Sequence, residues 1–179
     1  MIQISGKTIN QVFDEACARW PKESFLCSPG SSEANLIDWP YKKVKELVKH
    51  WAKILTEAGY GNGQRVALLL GTNNNHYIFK LAINYIGMSC VPINPDYTKS
   101  EIIYLLKDSN ADLIITNGKF EKIMRKSALK SKNNPSIFIY GHNSNSFPRS
   151  KTKPPKKKIN CETEASLLYT SGTTGKPKG

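Results

Sequence analysis

Apolar residues in the first third of the chain recur at the spacing of two amphipathic helices. The first helix is predicted to begin after Thr8, a good N-cap residue, and to end at Pro21. The second follows Pro40, which suits a first helical turn, and Gly59 supplies its C-terminal stop. Between these helices, two short apolar runs separated by a turn at 29–32 predict a pair of strands, residues 24–28 and 35–39.

From Arg65 onward, short apolar runs alternate with segments of helical spacing. The apolar runs are brief and bounded by turn residues, so they predict strands at 65–70, 90–93, 113–116, 137–140 and 165–169. The segments between them predict helices at 75–86, 98–107 and 120–130. Thr98 and Glu101 form a capping box for the second of these helices. This regular order favours an α/β fold, a mostly parallel sheet flanked by helices, with 65–70, 90–93 and 113–116 as interior strands.

Residues 141–160 break the alternation and are rich in Asn, Ser, Pro and Lys. Six cations, equal to half of the formal net charge of +12, lie here without an acid between them: Arg149, Lys151, Lys153, Lys156, Lys157 and Lys158. We interpret 141–160 as a basic linker inside a single domain that spans 1–179. A nucleic-acid or membrane-surface patch is the alternative, although no aromatic residues are interleaved to stack on bases.

The composition favours a globular protein, since the hydrophobic residues make up 39% of the chain and are clustered in periodic segments. No stretch approaches the roughly eighteen apolar residues of a membrane span. The first residues lack the apolar core of a signal peptide, so a cytoplasmic location is expected.

The cysteines and histidines form no metal-binding spacing. The four cysteines are predicted to be buried thiols: Cys17, Cys27, Cys90 and Cys161. The three histidines are assigned structural or surface roles: His50, His76 and His142.

The last ten residues, Thr170 to Gly179, combine hydroxyl side chains, lysines and glycines. Glycine lets the backbone approach a ligand closely, and successive backbone N–H groups can then surround an anion. The pattern is not a Walker A loop, because Gly172 and Gly175 are only two residues apart and Pro177 follows the lysine. The residues alone therefore indicate an anion-binding loop, with a polar tail as the alternative.

The segment Leu168–Gly179 resembles the signature of the adenylate-forming superfamily, which includes acyl-CoA synthetases, firefly luciferase and adenylation domains of nonribosomal peptide synthetases. Further stretches follow the family's order and spacing: 63–70, 86–88, 91–95 and 97–116. The likeness runs from about residue 7 to Gly179 and weakens between 120 and 160. It implies that the chain is the N-terminal portion of the large AMP-binding domain.

The resemblance implies a parent enzyme that activates a carboxylic acid with ATP and Mg²⁺ and transfers the acyl group to CoA. It assigns the ATP β- and γ-phosphates to Thr170, Ser171, Gly172, Thr173, Thr174, Gly175, Lys176 and Lys178. It places no catalytic residue and no metal ligand within this chain.

Because the chain stops inside the signature, the resemblance also predicts a truncated fragment that is inactive by itself. Other hypotheses stay open: an adenylation domain serving a carrier protein, and a catalytically inactive phosphate-binding or partner-binding module. A nucleic-acid-binding role is not favoured. The acid substrate and the oligomeric state cannot be read from these residues.

Overall fold

A computed structural model of the protein describes residues 2, 4–29, 36–131, 133–142, 146–156, 158–170 and 179. Its helices are α1 (Ile9–Arg19), α2 (Tyr41–Glu57), α3 (Asn74–Tyr85), α4 (Lys99–Ser109) and α5 (Glu121–Ala128). Its strands are β1 (Ser24–Pro29), β2 (Leu36–Pro40), β3 (Arg65–Leu69), β4 (Ser89–Pro92), β5 (Leu113–Asn117) and β6 (Ser136–Tyr140).

The strands form two sheets. β1 and β2 are an antiparallel pair, and the other four form a parallel sheet in the order β4-β3-β5-β6. The predicted α/β fold with a mostly parallel sheet flanked by helices is therefore confirmed. β3 and β5 are interior strands, as predicted, whereas the far side of β4 is covered in the described chain by a single bridge from Cys90 to Ser166.

Alternate residues of β3 point into two different cores. Val66 and Leu68 join a cluster with residues of α1, α2 and α3, while Ala67 and Leu69 join a second cluster with α4 and α5. All four side chains are essentially inaccessible to solvent. The sheet is thus covered by helices on both faces, which explains the nearly continuous apolar run at this strand.

Local signals placed most helix ends correctly. Thr8 and Thr98 both cap their helices in capping boxes, the second with Glu101 as predicted. Gly59 follows α2 with a left-handed φ of 89°, which suits its role as a stop. Pro40, in contrast, is the N-cap of α2 and not a residue of its first turn.

Two further predictions need correction. Residues 165–169 do not form a strand of their own, because Ser166 makes only an isolated bridge. The basic helix predicted at 120–130 is shorter, since α5 ends at Ala128. The predicted turn at 29–32 lies outside the described residues, except for Pro29.

The prediction that all four cysteines are buried is wrong for two of them. Cys17 and Cys90 are buried, and burial raises the pKa of their thiols to about 11 and about 12. Cys27 and Cys161 are exposed free thiols, because their segments follow the surface. Among the helices of the described chain, none is both long enough and apolar enough to cross a membrane.

The described part of the 141–160 segment lies on the surface of the domain and is held there by specific contacts. The Ser150 amide donates to the Ala58 carbonyl at 2.8 Å, and Gln64 Nε2 donates to the hydroxyls of Ser150 and Thr152 at 2.9 and 2.8 Å. Phe147 packs against Phe138, with ring centroids 4.5 Å apart. The segment carries the chain from β6 to the free side of β4.

Candidate nucleotide-phosphate site

The candidate phosphate loop is reached through a short stem, residues 164–170, that runs beside β4. The Cys90 amide donates to the Ala165 carbonyl at 3.1 Å, and the Leu167 amide donates to the Cys90 carbonyl at 3.0 Å. The side-chain amide of Asn84, at the end of α3, also donates to the Ala165 carbonyl, at 2.6 Å. These bonds place the stem at the free edge of the parallel sheet.

Tyr169 anchors the end of the stem directly before the loop. Its side chain is buried in the second core, and its hydroxyl donates to Asp108 Oδ2 at 2.6 Å. Burial, and then this hydrogen bond, raise the pKa of the Tyr169 phenol, which is therefore a neutral donor at pH 7. The Tyr97 hydroxyl donates to the Tyr169 carbonyl at 3.1 Å.

The last residue of the chain returns to the same tyrosine. A Cβ atom built on Gly179 would lie 2.9 Å from Tyr169 Cε1 and 3.3 Å from Leu167 Cδ1. Such distances are shorter than ordinary contacts, so a side chain at position 179 would require the Tyr169 ring to shift. The two described ends of the loop, Thr170 and Gly179, are thus both adjacent to Tyr169.

Glu164 anchors the beginning of the stem. Its carboxylate accepts two parallel bonds from Arg65, the first residue of β3, with Nε–Oε1 and Nη2–Oε2 both at 2.8 Å. The third guanidinium nitrogen, Nη1, donates to the Ser109 carbonyl at 3.0 Å. The hydrogen bond between the two side chains lowers the pKa of Glu164 and raises that of Arg65.

Of the eight residues predicted to bind ATP phosphates, Thr170 is described and is exposed. The other seven lie outside the described residues: Ser171, Gly172, Thr173, Thr174, Gly175, Lys176 and Lys178. Their assignment to the phosphates therefore stays a prediction.

The residues that hold the stem were not predicted from the sequence. Arg65, Tyr97 and Asp108 were noted only as parts of family-like stretches, and Glu164 was given no role. A weak signal was present, because Arg65 and Glu164 each stand directly before a short apolar run. Within the described ranges, no group of three or more His, Cys, Asp or Glu side chains could hold a metal ion.

Comparison with known proteins decides the family. The family model described as "AMP-binding enzyme" matches residues 13–179. The chain belongs to this AMP-binding enzyme family. The predicted membership of the adenylate-forming superfamily is therefore confirmed.

The relatives of this AMP-binding chain include two kinds of enzyme. Tyrocidine synthase 2 of Brevibacillus parabrevis is 30% identical over 176 residues, which are 98% of this chain and 4% of that protein. A crotonobetaine/carnitine–CoA ligase of Citrobacter koseri is 26% identical over 188 residues, covering 98% of this chain and 36% of the ligase. The chain thus spans a minor part of the length of these relatives.

Solved structures support the same fold. A long-chain-fatty-acid-CoA ligase (FadD1) from Archaeoglobus fulgidus has a TM-score of 0.80 at 20% identity, covering 99% of this chain and 36% of that one. The Klebsiella oxytoca NpsA N-terminal subdomain has a TM-score of 0.74 at 24% identity, and the match covers 97% of this chain and 41% of that one. At these identities the likeness concerns the fold of the AMP-binding domain.

Proposed function

We propose that this chain supplies the ATP-phosphate-binding part of an enzyme that activates a carboxylic acid as an acyl-adenylate and transfers the acyl group to CoA. The observation that carries the proposal is the anchored stem. The stem is held at the edge of a parallel sheet through Tyr169, and the sequence that follows Tyr169 is rich in glycines, hydroxyls and lysines. The family membership is consistent with this role.

In this proposal the loop holds the β- and γ-phosphates while the acid attacks the α-phosphate. The carboxylate oxygen forms the new P–O bond, and pyrophosphate leaves with the electron pair of the broken one. Backbone N–H groups and the threonine and serine hydroxyls donate to phosphate oxygens, and Lys176 and Lys178 offset the negative charge. The contribution is positioning and electrostatic stabilisation, and no nucleophile is assigned to this chain.

The second step requires a thiol to displace AMP from the acyl-adenylate. CoA is our proposed acceptor, and the resemblance to a crotonobetaine/carnitine–CoA ligase supports it. A carrier-protein thiol is the alternative, and the resemblance to tyrocidine synthase 2 supports that one. The two acceptors can be compared by supplying each to the same acyl-adenylate and measuring thioester formation.

Mg²⁺ is the further group that the family resemblance implies. It would offset charge on the ATP phosphates when bound. The described residues of this chain supply no cluster of metal-binding side chains, so no step is assigned to the ion here.

The proposal is tested by Lys178→Ala and Thr174→Ala in the full-length enzyme that carries this chain. Loss of one charge-assisted hydrogen bond to phosphate removes roughly 1.5–3 kcal/mol. Acid-dependent exchange of pyrophosphate into ATP should therefore slow by about ten- to a hundredfold. Thiol transfer from supplied acyl-adenylate should be affected less, because pyrophosphate has already left.

Lys119→Ala is the matched control, since Lys119 is an exposed lysine two residues before α5. It should leave the exchange rate unchanged. Equal losses for Lys119→Ala and Lys178→Ala, or equal losses in both half-reactions, would argue against the phosphate assignment. Absence of acid-dependent exchange by the full-length enzyme would argue against adenylation altogether.

A further inference from the structure

The stem is attached to the sheet by very few backbone bonds. In the described chain, Ser166 makes one isolated parallel bridge with Cys90. Among the described residues, the two backbone bonds of this bridge are the only ladder bonds between the stem and β4. A parallel pairing this short specifies its register weakly. A slip of two residues would keep each side chain on its own face while moving the chain by about 7 Å. Side chains must therefore set the register.

Side-chain contacts stand at both ends of the stem. Glu164 pairs with Arg65 at one end, and Tyr169 bonds to Asp108 and Tyr97 at the other. The five residue steps between them span at most about 18 Å of chain. The stem is thus defined by two side-chain anchors with one bridge between them.

Arg65 is itself held in a single orientation. Its backbone amide donates to Asp112 Oδ2 at 3.0 Å, its carbonyl accepts from the Asp112 amide at 2.9 Å, and it is paired with Ser89 of β4. Its guanidinium uses Nε and Nη2 on Glu164 and Nη1 on the Ser109 carbonyl. A fixed planar fork on a central strand can define the position of the carboxylate that it binds.

We propose that the Arg65–Glu164 pair is a register lock for the stem, and that it sets the point at which the phosphate loop begins. Arg65 is a positioning residue in this scheme, since it acts through Glu164 and not on ATP. The consequence for ATP use rests on the proposed function. The lock itself concerns only described residues and can be tested separately.

The first experiment measures hydrogen exchange of backbone amides in the 179-residue chain. Arg65→Lys keeps the positive charge but cannot reach both carboxylate oxygens. It should accelerate exchange of the Leu167 amide by about two- to fivefold, since loss of a pair worth about 0.5–1 kcal/mol has that effect on a local opening. The Ile115 amide in β5 is the internal reference and should be unchanged.

The second experiment measures both half-reactions of the full-length enzyme. Arg65→Lys and Glu164→Gln should raise the KM for ATP in pyrophosphate exchange, while thiol transfer from supplied acyl-adenylate keeps its rate. The charge-swapped double variant Arg65→Glu/Glu164→Arg should recover part of the loss. Glu57→Gln is the control, because it removes the exposed Lys53–Glu57 pair without touching the stem.

The outcomes separate the two ideas. If Leu167 exchange is unchanged in Arg65→Lys, the register lock is refuted, whatever the kinetics show. If Leu167 exchange accelerates but both half-reactions slow equally, Arg65 has only a general structural role and the positioning claim fails. If exchange of the amide accelerates and the wild-type enzyme forms no acyl-adenylate, the lock stands and the proposed function fails.

Discussion

The Glu164 carboxylate carries a contribution to stability that depends on pH. Because its hydrogen bond to Arg65 lowers its pKa in the folded state, this contribution is present above its unfolded pKa of about 4.3. It is lost as the pH falls through the lower folded pKa. Since 46% of the Glu164 side chain is exposed, we expect Glu164→Gln to reduce the free energy of unfolding by only about 0.5–1 kcal/mol at pH 7. Urea unfolding should show this difference shrinking below about pH 4.

Glu57→Gln serves again as the control for the pH experiment. The side chains of Lys53 and Glu57 are 74% and 63% exposed, and they make a single contact of 3.7 Å between Lys53 Nζ and Glu57 Oε1. Its removal should change unfolding less at pH 7 than removal of Glu164. A loss in Glu164→Gln that is the same at pH 7 and at low pH would exclude the ion pair as its source.

At the scale of elements, three glycines allow the segment after β6 to lie close against the domain. Gly61 and Gly63 face Pro154 and Pro155, and Gly87 faces Ile159. Gly87→Ala should lower the free energy of unfolding by about 2 kcal/mol or more. Its φ of 77° disfavours a side chain by about 1–2 kcal/mol, and a Cβ would lie 2.8 Å from Ile159 Cγ1.

Gly118→Ala is the matched control for this prediction. Gly118 has no atom within 4 Å of a built Cβ, so the substitution should change stability by no more than about 0.5 kcal/mol. Urea denaturation of both variants gives the comparison. Equal stability of Gly87→Ala and wild type would mean that the segment is not packed closely at this point.

At the scale of the whole molecule, the two cores share one sheet and should unfold together. β3, β4 and β5 each contribute side chains to both cores, so loss of one core exposes the other. Ile114→Ala removes a fully buried side chain from the second core and should cost about 2–5 kcal/mol. Trp39 and Trp51 pack against the first core and report on it by fluorescence. The fluorescence and circular dichroism midpoints should therefore shift equally.

Leu129→Ala controls for the loss of an apolar side chain by itself. Leu129 is 79% exposed, so its truncation should shift both midpoints little. A fluorescence midpoint that stays in place in Ile114→Ala would show that the two cores unfold independently, contrary to the prediction.

Local sequence was sufficient for the fold class and for most of the secondary structure of this protein. The helix caps at Thr8 and Thr98 depend on residues three positions away, so the sequence shows them directly. The strands β3 and β5 are likewise marked by short apolar runs of neighbouring residues. The phosphate-loop candidate was also found locally, because its glycines, hydroxyls and lysines are contiguous. The described stem ends at Thr170, and what the segment after it binds stays a prediction.

Residues far apart in sequence could be brought together only by the folded sheet. Arg65 and Glu164 are 99 positions apart, and Asp108 and Tyr169 are 61 apart. No local or periodic pattern identifies either pair as partners, because the strand order β4-β3-β5-β6 creates the proximity. The sequence by itself therefore predicted the chemistry of the loop, while the packing of the sheet supplied the side chains that hold the stem before it.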